Sequence, residues 1–117
     1  MILTLLKSKI HRATVTDADL NYEGSISIDP ALIDAARLNL NEQVDIYNIN
    51  NGQRFTTYVI EGKPGEICLN GAAARLVHKG DFVIIASYAQ MTPEEAKSHR
   101  PCVVLLGDDN RVLRNSK

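Results

Sequence analysis

The chain has 117 residues, the size of one domain with one hydrophobic core. Its 44% apolar and 23% charged residues are ordinary for a folded globular protein. The net charge of −1 argues against a nucleic-acid or membrane-surface partner. The apolar stretch from Met1 to Leu6 is cut off by Lys7 and Lys9, too early for a signal peptide or a membrane span. We therefore expect a single cytoplasmic domain over residues 1–117.

The cysteines and two of the histidines carry no recognisable site. Cys68 and Cys102 lie far apart in the sequence, without a C-x-x-C motif or a histidine pair at metal-ligand spacing. Both are predicted to be buried thiols, and no metal site is expected. His78 and His99 have no partner pattern and are interpreted as structural.

The first part of the chain predicts strands around a polar turn. Ile2 to Leu6 is a strand that continues into residues 7–12, where positions 7, 9 and 11 share one face. These are three potentially cationic side chains, although an edge strand protected by lysines has the same pattern. Residues 14–16 are β-prone, 17–22 are turn-like, and 25–28 form a short alternating strand.

A helix and a hairpin follow. Asp29 is a suitable N-cap and Pro30 a suitable first residue for a helix that extends to about Leu38. The spacing of the helix predicts an apolar stripe of Leu32, Ile33, Ala36 and Leu40. The turn at 50–52 joins a strand over 44–49 to a return strand over 54–60. A regular return strand places Arg54, Thr56 and Tyr58 on one face.

The remainder again alternates turns and short strands. Residues 62–65 are a turn, 67–69 a buried strand, and 70–76 a tight loop that starts a short helix. Residues 82–88 are a continuous apolar run suited to the centre of a sheet, and Thr92 caps a short helix to about residue 99. A strand at 102–106, a turn at 107–110 and an extended pair at 112–113 complete the chain. So many short strands indicate a mainly β protein, closed or nearly closed as a barrel.

The Gly24-Ser25 pair offers unusual chemistry. A serine hydroxyl can attack the carbonyl carbon of its preceding residue through a five-membered ring, and glycine there removes the Cβ that would crowd the attack. The resulting ester can break by β-elimination and hydrolyse to an amino-terminal pyruvoyl group. Gly-Ser is also a common turn pair, so the dipeptide alone does not decide between the two interpretations.

Four motifs together carry a family resemblance, by their order and their separations. They are Lys9-x-His11-Arg12, Tyr22-Glu23-Gly24-Ser25, Asn51-Gly52-x-Arg54-Phe55-x-Thr57-Tyr58 and Asn70-Gly71-Ala72-Ala73-Ala74. Over nearly its whole length the chain resembles the pyruvoyl-dependent aspartate 1-decarboxylases. It departs from many of them in ending at Lys117 and in a compact turn before Asn70.

The resemblance implies a six-stranded double-psi β-barrel and a homotetramer with active sites between subunits. It also implies self-cleavage between Gly24 and Ser25, which would give a β-chain of residues 1–24 and an α-chain of residues 25–117. The implied reaction converts L-aspartate to β-alanine and carbon dioxide for pantothenate synthesis.

The candidate residues suit that chemistry. Decarboxylation of an amino acid needs an electron sink, which a Schiff base with a pyruvoyl group from Ser25 supplies where no pyridoxal phosphate site is recognisable. Arg54 and Lys9 could bind the substrate carboxylates, or be ordinary surface charges. Tyr58 is the proposed proton donor, as the resemblance also implies, although a hydrogen-bonded core tyrosine is the common alternative.

Other residues would assist. Thr57 could polarise the Gly24 carbonyl and later contact substrate, and Asn70 could bond a developing oxyanion. Backbone N–H groups of Gly71, Ala72 and Ala73 could bind a carboxylate, with a capped helix start as the alternative. We rank Tyr22 and His11 as supporting residues.

Two other functional classes remain open at this stage. A non-catalytic ligand-binding barrel would keep its full translated mass, with Gly24-Ser25 as a turn. An amino-terminal nucleophile hydrolase would cut itself before Ser25 but keep the new α-amine as a base. Mass spectrometry separates these possibilities, because a pyruvoyl terminus lacks one ammonia.

Overall fold

The computed structural model describes residues 1–116. It is mainly β, as predicted, with two short α-helices and two 3-10 turns. The helices are α1 (Pro30–Ala35) and α2 (Pro93–Ala96), and the 3-10 segments are Gly71–Leu76 and Asp108–Asn110. The nine strands are β1 (Leu3–Thr14), β2 (Asp17–Asp19), β3 (Ser25–Ile28), β4 (Gln43–Asn48), β5 (Arg54–Glu61), β6 (Ile67–Asn70), β7 (Phe82–Met91), β8 (Cys102–Leu106) and β9 (Val112–Ser116). Over residues 1–116 no helix has the length and apolar content needed to cross a bilayer.

The strands form one sheet in the order β2-β6-β3-β5-β4-β7-β1-β8-β9. Three pairs are parallel, β2 with β6, β3 with β5 and β1 with β8, and the others are antiparallel. Because β1 lies between β7 and β8, the edge-strand interpretation of its lysines is wrong. Ser8 and Ile10 of β1 are buried, whereas Lys7, Lys9 and His11 are half-buried. Lys9 and His11 line one recess, as their spacing predicts, whereas Lys7 lies at a register irregularity of β1 and pairs with Glu42.

The segment before the Gly-Ser pair differs from the prediction. Asp17–Asp19, predicted as a turn, is β2 and pairs in parallel with Cys68–Asn70 of β6. The turn is shorter and begins at Leu20. All four residues of β3 are buried, so both faces of this strand are covered and the expected alternation of exposure is absent. In β2, pairing of the backbone with β6 overrides the turn preference of Asp17 and Asp19.

The first helix starts where it was predicted and ends early. The Asp29 side chain accepts a hydrogen bond from the Ala31 N–H at 2.8 Å, and Pro30 is the first helical residue. The helix ends at Ala35, and Arg37 adopts a positive φ of 56° that cannot continue it. Leu40 is therefore not part of an apolar helical stripe and is 53% exposed.

The remaining turns agree with their sequence signals. Gly52 has a φ of 77° in the β4–β5 turn, the conformation for which glycine was predicted. Thr92 and Glu95 form a capping box at α2, which ends at Ala96 rather than near residue 99. Cys68 and Cys102 are buried free thiols, as predicted.

Candidate functional site

The pairing of β3 with β6 brings four polar side chains together in the interior. Ser25 lies opposite Asn70, and Ser27 lies opposite Cys68. Side chains alternate along a strand, so residues two apart point to the same side of the sheet. All four are buried, with Ser25 only 1% exposed. Such a cluster must satisfy its own hydrogen bonds, because water does not reach it.

The Ser25 hydroxyl is held by two hydrogen bonds. Its Oγ donates to the Glu23 carbonyl oxygen at 2.9 Å and accepts from Asn70 Nδ2 at 3.0 Å. The same Nδ2 donates to Ser27 Oγ at 3.0 Å. Asn70 is the residue before the 3-10 segment, but its side chain makes no capping bond to that segment. Its amide serves the serines instead.

Gly71 lies very close to the Gly24 backbone. Its φ is 67°, a conformation that residues with a Cβ adopt only with strain. An added Cβ would lie 2.6 Å from Gly24 Cα, 2.7 Å from Gly24 N and 3.1 Å from the Tyr22 carbonyl oxygen. Gly71 therefore fixes the chain on the carbonyl side of the Gly24-Ser25 peptide bond. This close approach was not part of the sequence prediction, which gave Gly71 only an N–H role.

Thr57 and Tyr58 lie at the level of the Gly24-Ser25 bond on the neighbouring strand. Ile26 of β3 pairs in parallel with Val59 of β5. Extending this register by one residue toward the start of both strands sets Ser25 opposite Tyr58. Thr57 is half-buried, and Tyr58 is 36% exposed. Tyr58 thus lies on β5 one residue before the part of that strand that pairs with β3, and part of its side chain is open to solvent.

Lys9 and His11 lie in a separate recess of about 390 Å³, on the far strands of the sheet. Arg114 and Ser116 of β9 also line it, with Val103 and Leu105 of β8 as its apolar wall. Burial lowers the pKa of His11, and Lys9 and Arg12 lower it further. Burial and the two nearby cations thus disfavour the charged form of His11, and Lys9 and Arg114 bring cationic side chains to the recess.

Arg54 occupies a third place. Its guanidinium stacks on the Tyr47 ring at 3.9 Å from the ring centre. The two residues line a cavity of about 160 Å³ with Asp45, Phe55 and Thr56. The Tyr47 hydroxyl is 2.7 Å from that of Tyr88, and burial together with this hydrogen bond raises the pKa of Tyr47 to about 12. The stack holds the guanidinium plane still and leaves its edge for a ligand.

The single chain thus assembles only part of the predicted site. Gly24, Ser25, Asn70 and Gly71 are together, with Thr57 and Tyr58 beside them in register. Within residues 1–116, no hydrogen bond or common cavity connects this group to Lys9, His11 or Arg54. Of the rest, Tyr22 and Ala72 are exposed, and Ala73 packs against the core.

Ser27 and Cys68 are members of the cluster that the sequence analysis missed. A usable signal was present, because Ser25-Ile26-Ser27 and Cys68-Leu69-Asn70 each put two polar side chains on one strand face. Only the antiparallel register shows that the two faces meet. The described residues contain no group of three His, Cys, Asp or Glu side chains arranged for a metal ion.

These contacts define the class of site: a buried serine and amide cluster beside an exposed glycyl peptide, in a mainly β protein. The family model described as aspartate decarboxylase matches residues 1–113. The chain belongs to this aspartate decarboxylase family.

Several relatives called aspartate 1-decarboxylase match over nearly the whole chain. The protein from Bdellovibrio bacteriovorus is 63% identical over 117 residues, which cover 100% of this chain and 94% of the relative. That from Hydrogenobaculum sp. is 62% identical over 109 residues, 93% of this chain and 87% of the relative. That from Syntrophus aciditrophicus is 64% identical over 110 residues, 92% and 95% of the two chains.

Proposed function

We propose that this protein converts L-aspartate to β-alanine and carbon dioxide after cleaving itself between Gly24 and Ser25. Membership of the aspartate decarboxylase family supports the reaction. The observation that carries the cleavage is the Ser25 hydroxyl, buried and oriented by Asn70 beside a Gly24 backbone that Gly71 holds in place. A turn serine exposed to water would have no need of these partners.

The break in the chain uses only the chain's own atoms, and water enters in the step that follows it. Ser25 Oγ bonds to the Gly24 carbonyl carbon, the C–N bond breaks, and the hydroxyl proton passes to the Ser25 nitrogen, which gives an ester. Loss of the Cα proton then breaks the Cβ–Oγ bond and releases residues 1–24 with a carboxylate terminus. Hydrolysis of the remaining dehydroalanine then consumes one water molecule and releases the nitrogen as ammonia. A pyruvoyl group is left at the start of residues 25–117.

The surrounding residues fit a carbonyl group at position 25. Asn70 Nδ2 and the Ser27 hydroxyl lie where they can donate hydrogen bonds to a ketone oxygen. Gly71 and the exposed Gly24 leave no bulky side chain over that position. A pyruvoyl group at this position would supply the carbonyl that binds the substrate amine and the electron sink that decarboxylation needs.

The side chains around that position then bind the substrate and move a proton. Tyr58 donates a proton to Cα of the product, and its partly exposed side chain is compatible with contact to a small substrate. Thr57 contacts the Gly24 carbonyl during cleavage and the substrate afterwards. The Gly71, Ala72 and Ala73 N–H groups hold one carboxylate.

Lys9 and Arg54 supply the charges for substrate carboxylates, from recesses separate from Ser25 in one chain. Because Ser25 lines neither recess, we infer active sites between subunits of a homotetramer. The large apolar side chains left exposed support assembly: Ile2, Leu20, Tyr22, Leu40, Tyr88 and Leu113 are each more than 40% exposed.

We also infer that six strands close into a double-psi β-barrel. Residues 3–19 run through β1 and β2 with only a two-residue gap, and these two strands pair with opposite parts of the sheet. The Thr16 N–H donates to the Ile67 carbonyl at 2.8 Å, and the Val15 N–H to the Asp81 carbonyl at 2.8 Å. These bonds support closure of β1–β2 on both β6 and β7. We place the product, β-alanine, in cytoplasmic pantothenate synthesis.

The experiment compares the native protein with Ser25→Ala. Purified protein is incubated with L-aspartate, and β-alanine is quantified by chromatography. We expect β-alanine from the native protein and none from Ser25→Ala, which lacks the nucleophile. Normal turnover by Ser25→Ala would refute the proposal. Ser98→Ala, an exposed serine beyond α2, controls for the substitution itself.

A further inference from the structure

Cys68 contacts the amide that orients the Ser25 hydroxyl. The Cys68 Sγ lies 3.3 Å from Asn70 Oδ1, and both side chains are buried. A thiol can donate to an amide oxygen at this distance, although the bond is weak. Its other nearby acceptor, the Leu69 carbonyl oxygen, is farther away at 3.9 Å. The Asn70 oxygen is therefore the better-placed partner of the thiol.

The hydrogen bonds around Asn70 determine which way its amide faces. Ser25 Oγ already donates its proton to the Glu23 carbonyl, so it needs a donor from Asn70, which is the Nδ2 end. The oxygen end must then face Cys68, where only a donor is satisfactory. A flipped amide would put its oxygen beside Ser25 Oγ and two N–H donors beside sulfur, leaving donors and acceptors mismatched.

The surroundings of Cys68 keep the thiol protonated. Burial raises the pKa of Cys68 to about 11, and the neighbouring carboxylates of Glu66, Asp17 and Asp19 contribute in the same direction. The S–H is thus present as a donor across the physiological range. Cys102, the other buried thiol, is 3.2 Å from the Ala35 carbonyl oxygen and has no contact with Asn70.

We propose that Cys68 is a positioning residue for self-cleavage: its thiol holds the Asn70 amide in the orientation that donates to Ser25 Oγ. The inference rests on the proposed function, because it concerns the acyl shift at Gly24-Ser25. In that step Oγ bonds to the Gly24 carbonyl carbon and its proton passes to the Ser25 nitrogen, and the Asn70 N–H acts beforehand by holding Oγ in place for the attack. Without the thiol the amide is free to rotate, and fewer molecules are ready to react.

The test follows the self-cleavage of freshly synthesised chains. Protein made in a cell-free reaction is sampled over time, and the fraction cut is measured by denaturing mass spectrometry. We expect Cys68→Ala to slow cleavage about fivefold or more, the size of effect expected for one buried hydrogen bond. Cys68→Ser keeps a donor and should stay within about twofold of the native rate. Cys102→Ala, which removes the matched buried thiol, should also stay close to the native rate.

A second pair of variants removes the effect of shape. Thr and Val have similar shapes and differ in one hydroxyl, so Cys68→Thr should cleave faster than Cys68→Val even though burial of the hydroxyl lowers its thermal stability. A merely structural role would move stability and cleavage together and would not follow the hydroxyl. Cys68→Ala at the native rate, or Cys68→Val equal to Cys68→Thr, would overturn the inference. If native chains never cut themselves, the proposed function fails together with the inference. If native chains cut and the Cys68 variants cut equally fast, only the inference fails.

Discussion

Replacing Gly71 with alanine tests whether this residue holds the scissile peptide. The added Cβ would lie 2.6 Å from Gly24 Cα, whereas ordinary contacts begin at 3.4 Å. The nearest atoms, Gly24 Cα and Gly24 N, belong to the backbone and cannot rotate away as a side chain would. Accommodating the Cβ therefore displaces the Gly24 backbone by about 0.8 Å, the difference between the two distances. A misplacement near 1 Å costs about 100-fold in rate at a reacting centre. We therefore expect self-cleavage of Gly71→Ala to slow by about 100-fold.

The stability cost has two parts that a control separates. Alanine at a positive φ costs about 1–2 kcal/mol, and crowding of a packed site adds about 1–3 kcal/mol. Gly65 also has a positive φ, 79°, but nothing lies within 4 Å of an added Cβ. Gly65→Ala should thus lose about 1–2 kcal/mol and cut normally.

Denaturing mass spectrometry follows the fraction of cut chain over time in each variant. Stability is measured by urea unfolding of the same glycine variants combined with Ser25→Ala, so that no chain is cut. Equal cleavage rates for Gly71→Ala and Gly65→Ala would refute the reasoning, because the contact with Gly24 would then have no role in the reaction. Equal losses of stability would show that the Gly71 contact adds no crowding beyond the strain of the positive φ.

Three other predictions concern charges and proton transfer. Tyr58→Phe should cut itself at the native rate and lose about 100-fold or more in aspartate turnover, since only the later step needs its proton; unchanged β-alanine production would remove Tyr58 from that role. Lys9→Met should raise the pKa of His11, measured by imidazole NMR titration, because burial and two cations now lower it; an unmoved titration would contradict this electrostatic account. Hydrogen bonds from Lys7 and Asn39 outweigh burial and hold the pKa of Glu42 below its usual value. The contribution of Glu42 to folding stability is therefore present above its pKa in the unfolded chain and is lost as the pH falls through its pKa in the folded protein. Lys7→Met should cost about 0.5–1 kcal/mol in urea unfolding at pH 7, with a smaller loss at pH 3; an equal loss at both would show that the ion pair is not its source.

The local signals of the fold were largely readable from the sequence. Asp29-Pro30, Gly52 and the Thr92 capping box each carry a stereochemical requirement that one residue type satisfies, and the structure confirms all three. Asp17–Asp19 was wrong because a three-residue strand depends on its partner, β6, which lies about fifty residues away in sequence.

The candidate site shows the same division. Gly24-Ser25 and Asn70 could be singled out from residue chemistry and from the motifs, and the structure places them together. Ser27 and Cys68 could not be added, because their meeting depends on the register of two strands. The relation of Lys9 and Arg54 to Ser25 is a question of assembly, which periodicity in one chain does not encode.

The central claim is that the peptide bond before Ser25 breaks and leaves a keto group. The most direct measurement is denaturing mass spectrometry of active protein, before and after reduction with borohydride. The account predicts two chains, residues 1–24 and 25–117, with the larger lacking one ammonia and gaining two hydrogens on reduction. A single uncut chain of unchanged mass that still produces β-alanine would contradict it.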